Sequence, residues 1–182
     1  MEPAIGLIET NSVAAGILVG DTMMKKAVVT LLEARPVCPG KYIVLISGEV
    51  GPVEESYLAG VAAAQDALVD QLFLPNIHLS LFPAMMSATP SLGAEALGIV
   101  ETISVASCLL SADAAAKAAQ VSILEIRLAN GLGGKSYFFL EGDVSNVEAA
   151  VGAAVDLIGK EGLLIRHVII PRLHPDMQQM IL

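Results

Sequence analysis

Ala4-Ile5-Gly6-Leu7-Ile8-Glu9-Thr10 recurs in the second half of the chain as Ala96-Leu97-Gly98-Ile99-Val100-Glu101-Thr102. Other matches follow in the same order: Ser12-Val13-Ala14 with Ser104-Val105-Ala106, Asp21 and Lys25 with Asp113 and Lys117, and Leu74-Pro75 with Ile170-Pro171. A repeat of about ninety residues is far longer than a solenoid unit, so it predicts two tandem domains. We expect these domains at residues 1–88 and 94–182, joined by a segment rich in Ser, Gly, Thr and Pro, as linkers are.

Each repeat predicts the same order of secondary structure. A short apolar strand, Ile5–Glu9 or Leu97–Glu101, precedes a helix for which Ser12 or Ser104 is a suitable N-cap. Two strands then flank a turn, a second helix follows, and a fourth strand ends at a proline before a short tail helix. Strand-helix-strand-strand-helix-strand is the ferredoxin-like order, in which helices pack on an antiparallel sheet. The predicted fold class is therefore α+β, with two tandem ferredoxin-like domains.

The pattern within the helices predicts their faces and their first residues. In the second helix we expect Pro52 at the first helical position of one repeat. A capping box from Ser145 to Glu148 is expected in the other repeat. The first helix shows apolar residues at the spacing that is typical of a buried face. These residues are Val13, Ile17, Gly20 and Met24, and in the second repeat Val105, Leu109, Ala112 and Ala116.

The composition excludes several classes of protein. The 182 residues are 54% hydrophobic, with a mean hydropathy of +0.68, yet charged or polar residues interrupt every run before a membrane span is reached. The net charge of −9 argues against nucleic acid, whose phosphates require basic patches. The amino terminus lacks the layout of a signal peptide, so we expect a cytoplasmic protein. The surplus of apolar residues predicts subunit interfaces, which resemble domain cores when they are obligate.

One of the two cysteines lies in a turn, Glu33-Ala34-Arg35-Pro36-Val37-Cys38-Pro39-Gly40-Lys41, between two strand-like runs. A proline on each side of the thiol removes backbone donors and fixes φ, so we expect a stiff loop with Cys38 at its tip. Arg35 and Lys41 supply positive charge in the same segment. Two cysteines in such a chain indicate free thiols or a metal site and not a disulfide framework. A single thiol could hold a metal cluster only where several copies of the chain meet.

The other polar residues favour structural roles over catalysis. Glu9 and Glu101 follow the first strand without a nearby histidine or second acid, so a hydrogen-bonding role is expected. Cys108 stands at the position of Gly16, which predicts a small buried side chain. The sequence contains no nucleotide-binding glycine motif and no nucleophile elbow, so we do not expect an enzyme. Capping, edge or structural roles are expected for the three histidines, His78, His167 and His174.

Several short motifs together give the chain a resemblance to a known family. They are Gly-x-x-Glu-Thr, Asp-x-x-x-Lys, Gly-(Glu/Asp)-Val-x-x-Val and, near the end, Ile170-Pro171-Arg172-x-His174. With these motifs the sequence resembles the shell-protein domain of bacterial microcompartments, twice, over nearly the whole chain and in unpermuted order. The loop Val37–Lys41, with Gly131–Lys135 in the second repeat, is similar to that of the iron–sulfur-binding shell protein of the propanediol-utilisation type.

The resemblance implies a homotrimer that mimics a hexameric tile and packs against other microcompartment shell proteins in the shell. In such a tile Lys25 and Lys117 would make edge contacts, and Arg172 would reach across the seam between tiles. Asn76 stands where the first repeat would carry the equivalent arginine. The tip loops would line a central pore, and the implied pore-lining residues are Val37, Pro39, Gly40, Asn130, Gly131, Leu132 and Gly133.

Three-fold symmetry would bring three Cys38 thiols together. Three thiolates can hold three irons of a [4Fe–4S] cluster, so the resemblance implies one cluster per trimer on the three-fold axis. Zinc is the weaker alternative, since it also favours sulfur ligands. An exposed cluster in a pore suits electron transfer across the shell, with an encapsulated or cytosolic redox protein as partner. Two other functions stay open: a shell tile with a small-molecule pore and no bound cluster, and a ferredoxin-like regulator that binds a metabolite between the two halves.

Overall fold

The structure, a computed structural model, describes residues 3–181 and contains two compact units. The first unit comprises the chain through Ile77 together with Asn130–Gly134. The second comprises His78–Ala129 and the chain from Lys135 onward. Each unit has a four-stranded antiparallel sheet and the predicted strand-helix-strand-strand-helix-strand order. The predicted α+β fold class is confirmed.

In the first unit the chain forms four strands and two helices. The elements are β1 (Pro3–Thr10), α1 (Val13–Lys26), β2 (Thr30–Val37), β3 (Lys41–Glu49), α2 (Val50–Ala64) and β4 (Leu68–Leu74). In the second unit the same series is preceded and followed by a short helix. Its elements are α3 (Leu81–Met85), β5 (Ala96–Thr102), α4 (Val105–Ala118), β6 (Ser122–Arg127), β7 (Ser136–Gly142), α5 (Val144–Ile158), β8 (Leu164–Pro171) and α6 (Pro175–Ile181). No helix among residues 3–181 is long and apolar enough to cross a membrane.

The strand order is β2-β3-β1-β4 in the first unit and β6-β7-β5-β8 in the second. The first strand of each repeat is therefore central, with Leu7 opposite both Leu45 and Leu72. Residues from both faces of β1 and β3 are buried, as their nearly continuous apolar sequences require. The helix-side core of the first unit joins strand residues such as Ile8 and Val44 to helix residues such as Met23.

The N-caps of the first helices are confirmed. The Ser12 hydroxyl accepts a hydrogen bond from Ala15 N, and the Ser104 hydroxyl accepts one from Ser107 N. The predicted starts of the second helices are wrong. Helix α2 begins at Val50, so Pro52 is its third residue, and α5 begins at Val144, so Ser145 lies inside the helix and forms no capping box. Their N-cap residues are Glu49 and Asp143, and neither forms a side-chain cap hydrogen bond.

The buried face of α1 also differs from the prediction. Gly16, Val19 and Met23 are buried. The apolar residues that periodicity favoured, Val13 and Ile17, are exposed. Helix α1 is therefore apolar on two faces, and only one of them packs on its own sheet.

Gly16 is needed because α1 lies close to Tyr42 on β3. A Cβ atom at residue 16 would lie 2.5 Å from Cβ of Tyr42, closer than carbon atoms can approach. In the second repeat Cys108 occupies the position of Gly16, and Ser136 occupies that of Tyr42. Both residues are fully buried, as predicted for Cys108. The first repeat thus fills this space with a glycine on the helix and a tyrosine on the strand, whereas the second repeat fills it with a cysteine and a serine.

We expect Gly16→Ala to lower the free energy of unfolding by about 1–3 kcal/mol, as overpacking of a core does, despite the higher helix propensity of alanine. Gly152→Ala on α5 is the matched control, since a Cβ there meets nothing within 4 Å. For the control we expect a gain of about 0.5–1 kcal/mol from propensity alone. Chemical denaturation of both variants measures the two values. Equal changes in both would show that the contact with Tyr42 has no energetic consequence.

Candidate functional site

The exposed cysteine lies in a shorter turn than the sequence predicted. Strand β2 continues through Val37 and β3 begins at Lys41, so the turn itself is Cys38–Gly40. The expectation that the loop begins at Glu33 is therefore wrong. Within the turn the Cys38–Pro39 peptide bond is cis, and Gly40 has a φ of 80°, which favours glycine. The Cys38 thiol is free and exposed, as expected for a residue at a loop tip.

A second loop lies against this turn in the same unit. Asn130–Gly134 comes from the second repeat in sequence, but it folds with the first unit. A Cβ atom at Gly134 would lie 3.1 Å from the Cys38 carbonyl oxygen and 3.4 Å from Cδ of Pro39. With a φ of 91° as well, this position requires glycine on two grounds. The glycine run was visible in the sequence, but its contact with the Cys38 turn was not.

The predicted pore-lining residues differ in exposure. Leu132 is half-buried. Val37 is buried at the end of β2, so its side chain belongs to the core of the unit. Both loops nevertheless present mainly backbone and small side chains at the tip. The exposed members of the set are Pro39, Gly40, Asn130, Gly131 and Gly133.

An ion pair lies at the base of the Cys38 turn. Lys41 Nζ is 3.4 Å from Oε1 of Glu9, whose side chain is fully buried. Oε2 of Glu9 is also buried and has no hydrogen-bond partner within the described residues. The same pair recurs as Lys135 and Glu101, again at 3.4 Å, but there the glutamate is 35% exposed. The predicted structural role of Glu9 therefore takes the form of a buried ion pair that anchors the first residue of β3.

Burial raises the pKa of Glu9 above its ordinary value of 4.5. The positive charge of Lys41 acts in the opposite direction, and the negative charge of Asp70 adds to the effect of burial. The positive charges expected beside the thiol are thus already paired with acids. Arg35 Nε lies 2.8 Å from a Glu33 carboxylate oxygen in the same way.

The residues implied at tile edges lie on α1 and α4 and directly after β4 and β8. Lys25 Nζ is 2.7 Å from Asp21, and Lys117 Nζ is 2.6 Å from Asp113, so the duplicated motif forms the same i,i+4 pair in both repeats. Asn76 and Arg172 follow β4 and β8 and are both exposed. They share a left-handed backbone, with φ values of 57° and 54°. This conformation suits asparagine better than arginine.

Two of the histidines form local hydrogen bonds near helix starts, and the second cysteine is buried. Nδ1 of His78 is 2.7 Å from the Ser80 hydroxyl, and Nδ1 of His174 accepts a hydrogen bond from the N–H of Asp176. Both contacts lie at the starts of the tail segments, in agreement with the capping interpretation. His167 is exposed on β8. Burial raises the pKa of the Cys108 thiol to about 12, so this thiol stays protonated and is a poor ligand.

Within residues 3–181 no group of three His, Cys, Asp or Glu side chains is placed to hold a metal ion. Cys38 offers one sulfur ligand on an exposed turn. Sulfur ligands from other copies would be needed to complete a cluster or a zinc site.

Comparison with known proteins gives consistent matches over the whole chain. The BMC domain family matches residues 4–77 and 96–173. The chain is 44% identical over 177 residues to the bacterial microcompartment shell protein PduT of Citrobacter freundii, covering 97% of this chain and 96% of that protein. A crystal structure of a microcompartments protein from Desulfitobacterium hafniense DCB has a TM-score of 0.93 at 47% identity and covers 98% of this chain and 99% of that one. A fused permuted hexameric shell protein, MSM0275 from the RMM microcompartment, shares the fold, with a TM-score of 0.63 at 23% identity over 87% of this chain and 84% of that one.

The raised pKa of Glu9 predicts a pH-dependent penalty. An acid whose pKa is raised on folding binds its proton more tightly in the folded state, so its contribution to stability falls as pH rises above 4.5, until the folded-state pKa is passed. We expect Glu9→Gln to match the parent protein near pH 4.5 and to become the more stable of the two as pH increases. Thermal unfolding at a series of pH values measures the difference.

Glu101→Gln is the control, because Glu101 pairs with the equivalent lysine, Lys135, but its carboxylate is partly exposed. We expect a smaller change with pH for this variant. A difference between Glu9→Gln and the parent that stays constant from pH 4 to pH 8 would contradict the assignment.

Proposed function

The chain belongs to the BMC domain family as a tandem-domain shell protein, and from this premise we propose that three copies form a pseudohexameric tile with a [4Fe–4S] cluster at its centre. The observation that carries the proposal is the exposed thiol of Cys38, which offers one ligand per chain. Family membership favours a shell tile over a metabolite-binding regulator, and the chain is not an enzyme.

The number of domains supports a homotrimer. Each chain carries two BMC domains, so three chains supply six domains around one axis. Closed rings are the usual form of homo-oligomers with head-to-tail contacts. A tile of this kind would pack in the microcompartment shell beside other shell proteins, and the relative from Citrobacter freundii is named as a microcompartment shell protein.

The composition of the tip supports a cluster on the three-fold axis. Cys38 has no counterpart in the second repeat, where the equivalent loop carries Asn130 and glycines. A trimer would therefore present three thiols at its centre and not six. Three thiolates hold three irons of a [4Fe–4S] cluster, and zinc bound by three thiolates is the competing occupant.

The surrounding residues fit such a group. A Cβ atom at Gly40, Gly131 or Gly133 would meet nothing within 4 Å, so these positions leave open space. In the proposed site, backbone N–H groups near Gly40 would donate to the sulfur. When bound, the cluster would supply a one-electron carrier. Cys38 would hold it, and Gly134 lies close to the carbonyl oxygen of Cys38. An encapsulated or cytosolic redox protein is the partner that this function requires.

Replacement of Cys38 tests the cluster. We expect anaerobically purified protein to be brown, with iron and sulfide bound. We expect Cys38→Ser to lose about nine-tenths or more of both, because the substitution removes all three thiolate ligands. Cys108→Ala is the matched control, since that thiol is buried and protonated, and it should retain its iron. Colourless trimers after anaerobic reconstitution would favour the alternative, a shell tile with a small-molecule pore. Zinc in place of iron would favour the other occupant.

Replacement of Lys25 tests the tile edge. The Lys25 side chain is exposed beyond its pair with Asp21, and the resemblance implies that it packs against the next tile. We expect Lys25→Ala to reduce sheet formation in electron micrographs while trimers persist in solution, because edge contacts are small and repeated. Lys26→Ala is the control, since Lys26 is exposed but lies near Glu55 of α2. Loss of the trimer in Lys25→Ala would contradict an outer position for this residue.

A further inference from the structure

The two repeats bury equivalent surfaces to very different extents. In α4 ten residues are buried, among them Val105 and Leu109. Their equivalents in α1, Val13 and Ile17, are 43% and 56% exposed. Strand β6 is largely buried, whereas β2 is largely exposed, and Leu31 on β2 is 43% exposed where its equivalent in β6 is buried. The α1/β2 face, defined by Val13, Ile17, Met24 and Leu31, is therefore an apolar surface without a cover in the described chain.

The second unit shows what covers the equivalent face. Helix α3 is the tail of the first repeat, yet it belongs to the second unit and packs against β6. Its residues Leu81 and Ala84 are fully buried. Where this tail begins, the backbone N–H of His78 donates a hydrogen bond of 2.7 Å to Oδ1 of Asp113 on α4. A tail helix and one hydrogen bond to an aspartate thus complete this surface.

The tail of the second repeat carries the same groups, and within the described residues Gln178 of α6 forms a hydrogen bond with Ser91. Counting from the shared Pro and His positions, Met177 and Met180 on α6 are the equivalents of Leu81 and Ala84. They are 51% and 82% exposed, although both are apolar. His174 corresponds to His78 in the same alignment. This tail therefore exposes two methionines at positions whose equivalents on α3 are buried.

The α1/β2 face carries the groups that would receive this tail. Asp21 is the equivalent of Asp113, and within residues 3–181 its recorded partner is Lys25, which binds Oδ2. In Asp113 the corresponding Oδ2 binds Lys117, and Oδ1 takes the N–H of the tail. A cavity of about 300 Å³ opens beside Asp21, lined by Ile17, Met24 and Leu31 among others. This volume lies where the tail would seat.

We propose that the α1/β2 face binds α6 of a second copy of the chain, with the His174 N–H donating to Asp21 and Met177 and Met180 packed over β2. Each chain then gives one tail and receives one, which is a head-to-tail contact, and such contacts close into rings when the rotation allows. The inference rests on the homotrimer of the proposed function, but it does not require a cluster. It identifies the residues that join one chain to the next.

Charge on the tail tests the contact. We expect Met177→Glu/Met180→Glu to convert trimers to single chains, so that the mass from light scattering falls by a factor of about three, with the circular dichroism spectrum unchanged. Met86→Glu is the matched control, because Met86 is an exposed methionine at the end of α3, and this variant should stay trimeric. A trimer that persists in the double variant would overturn the docking, while the homotrimer would stand. A parent protein with the mass of one chain would instead overturn the homotrimer itself.

A cross-link gives the direction of the contact and covers the case in which the charged variant misfolds. In a Cys38→Ser background, Leu31→Cys and Met177→Cys in one chain should give covalent trimers on oxidation. Either substitution alone should give none. A mixture of the two single variants should give covalent dimers and nothing larger. Absence of covalent trimers in the double variant, under conditions where the parent is trimeric, would place α6 elsewhere and refute the proposal.

Discussion

Each repeat lends a segment to the unit formed mainly by the other repeat, and the rest of the structure depends on this exchange. The tail helix α3 leaves the first repeat and packs against β6, with the His78 N–H on Asp113. The loop Asn130–Gly134 leaves the second repeat and folds beside the Cys38 turn. This contact runs from the tail of one repeat to the face of the next, so two repeats make it once. The tail of the second repeat and the equivalent face of the first repeat are left without it. The apolar excess of the composition is thereby explained, because part of it lies on surfaces for which the other repeat shows a partner.

The same exchange gives the tip its chemical asymmetry. The turn at Cys38–Gly40 carries the thiol, and the adjacent loop carries glycines. A Cβ atom at Gly134 would lie only 3.1 Å from the Cys38 carbonyl oxygen, and the φ of 91° at this position also favours glycine. In the proposed trimer the alternation of the two loops sets the number of thiols at three. Three thiolates leave one iron of a [4Fe–4S] cluster without a protein ligand, whereas six thiols around one axis would favour disulfides or other metals.

The sequence predicted the order of elements, the Ser12 and Ser104 caps and the buried position of Cys108, because each depends on local pattern or on comparison of the two repeats. It failed where the outcome depends on neighbours. Pro36 suggested a turn, but β2 is an edge strand, in which a missing backbone donor is tolerated, so the strand continues to Val37. Periodicity identified α1 as an amphipathic helix, but it could not decide which of two apolar faces meets the sheet. The contact of Gly134 with the cysteine turn joins residues that are far apart in sequence, and no local signal reports it.

Divergence between the repeats follows from their different neighbours. Asp113 and Asp21 each pair with a lysine four residues later. The Asp113 carboxylate is buried under a tail, whereas that of Asp21 is exposed. Glu9 and Glu101 likewise each pair with a lysine at 3.4 Å, but only Glu9 is fully buried. Gly16 with Tyr42 and Cys108 with Ser136 fill one space in two ways. Since identical motifs persist while their surroundings differ, the motif residues maintain contacts that both repeats need. The substituted positions adapt each repeat to its own neighbours, and the cysteine turn is one of these substitutions.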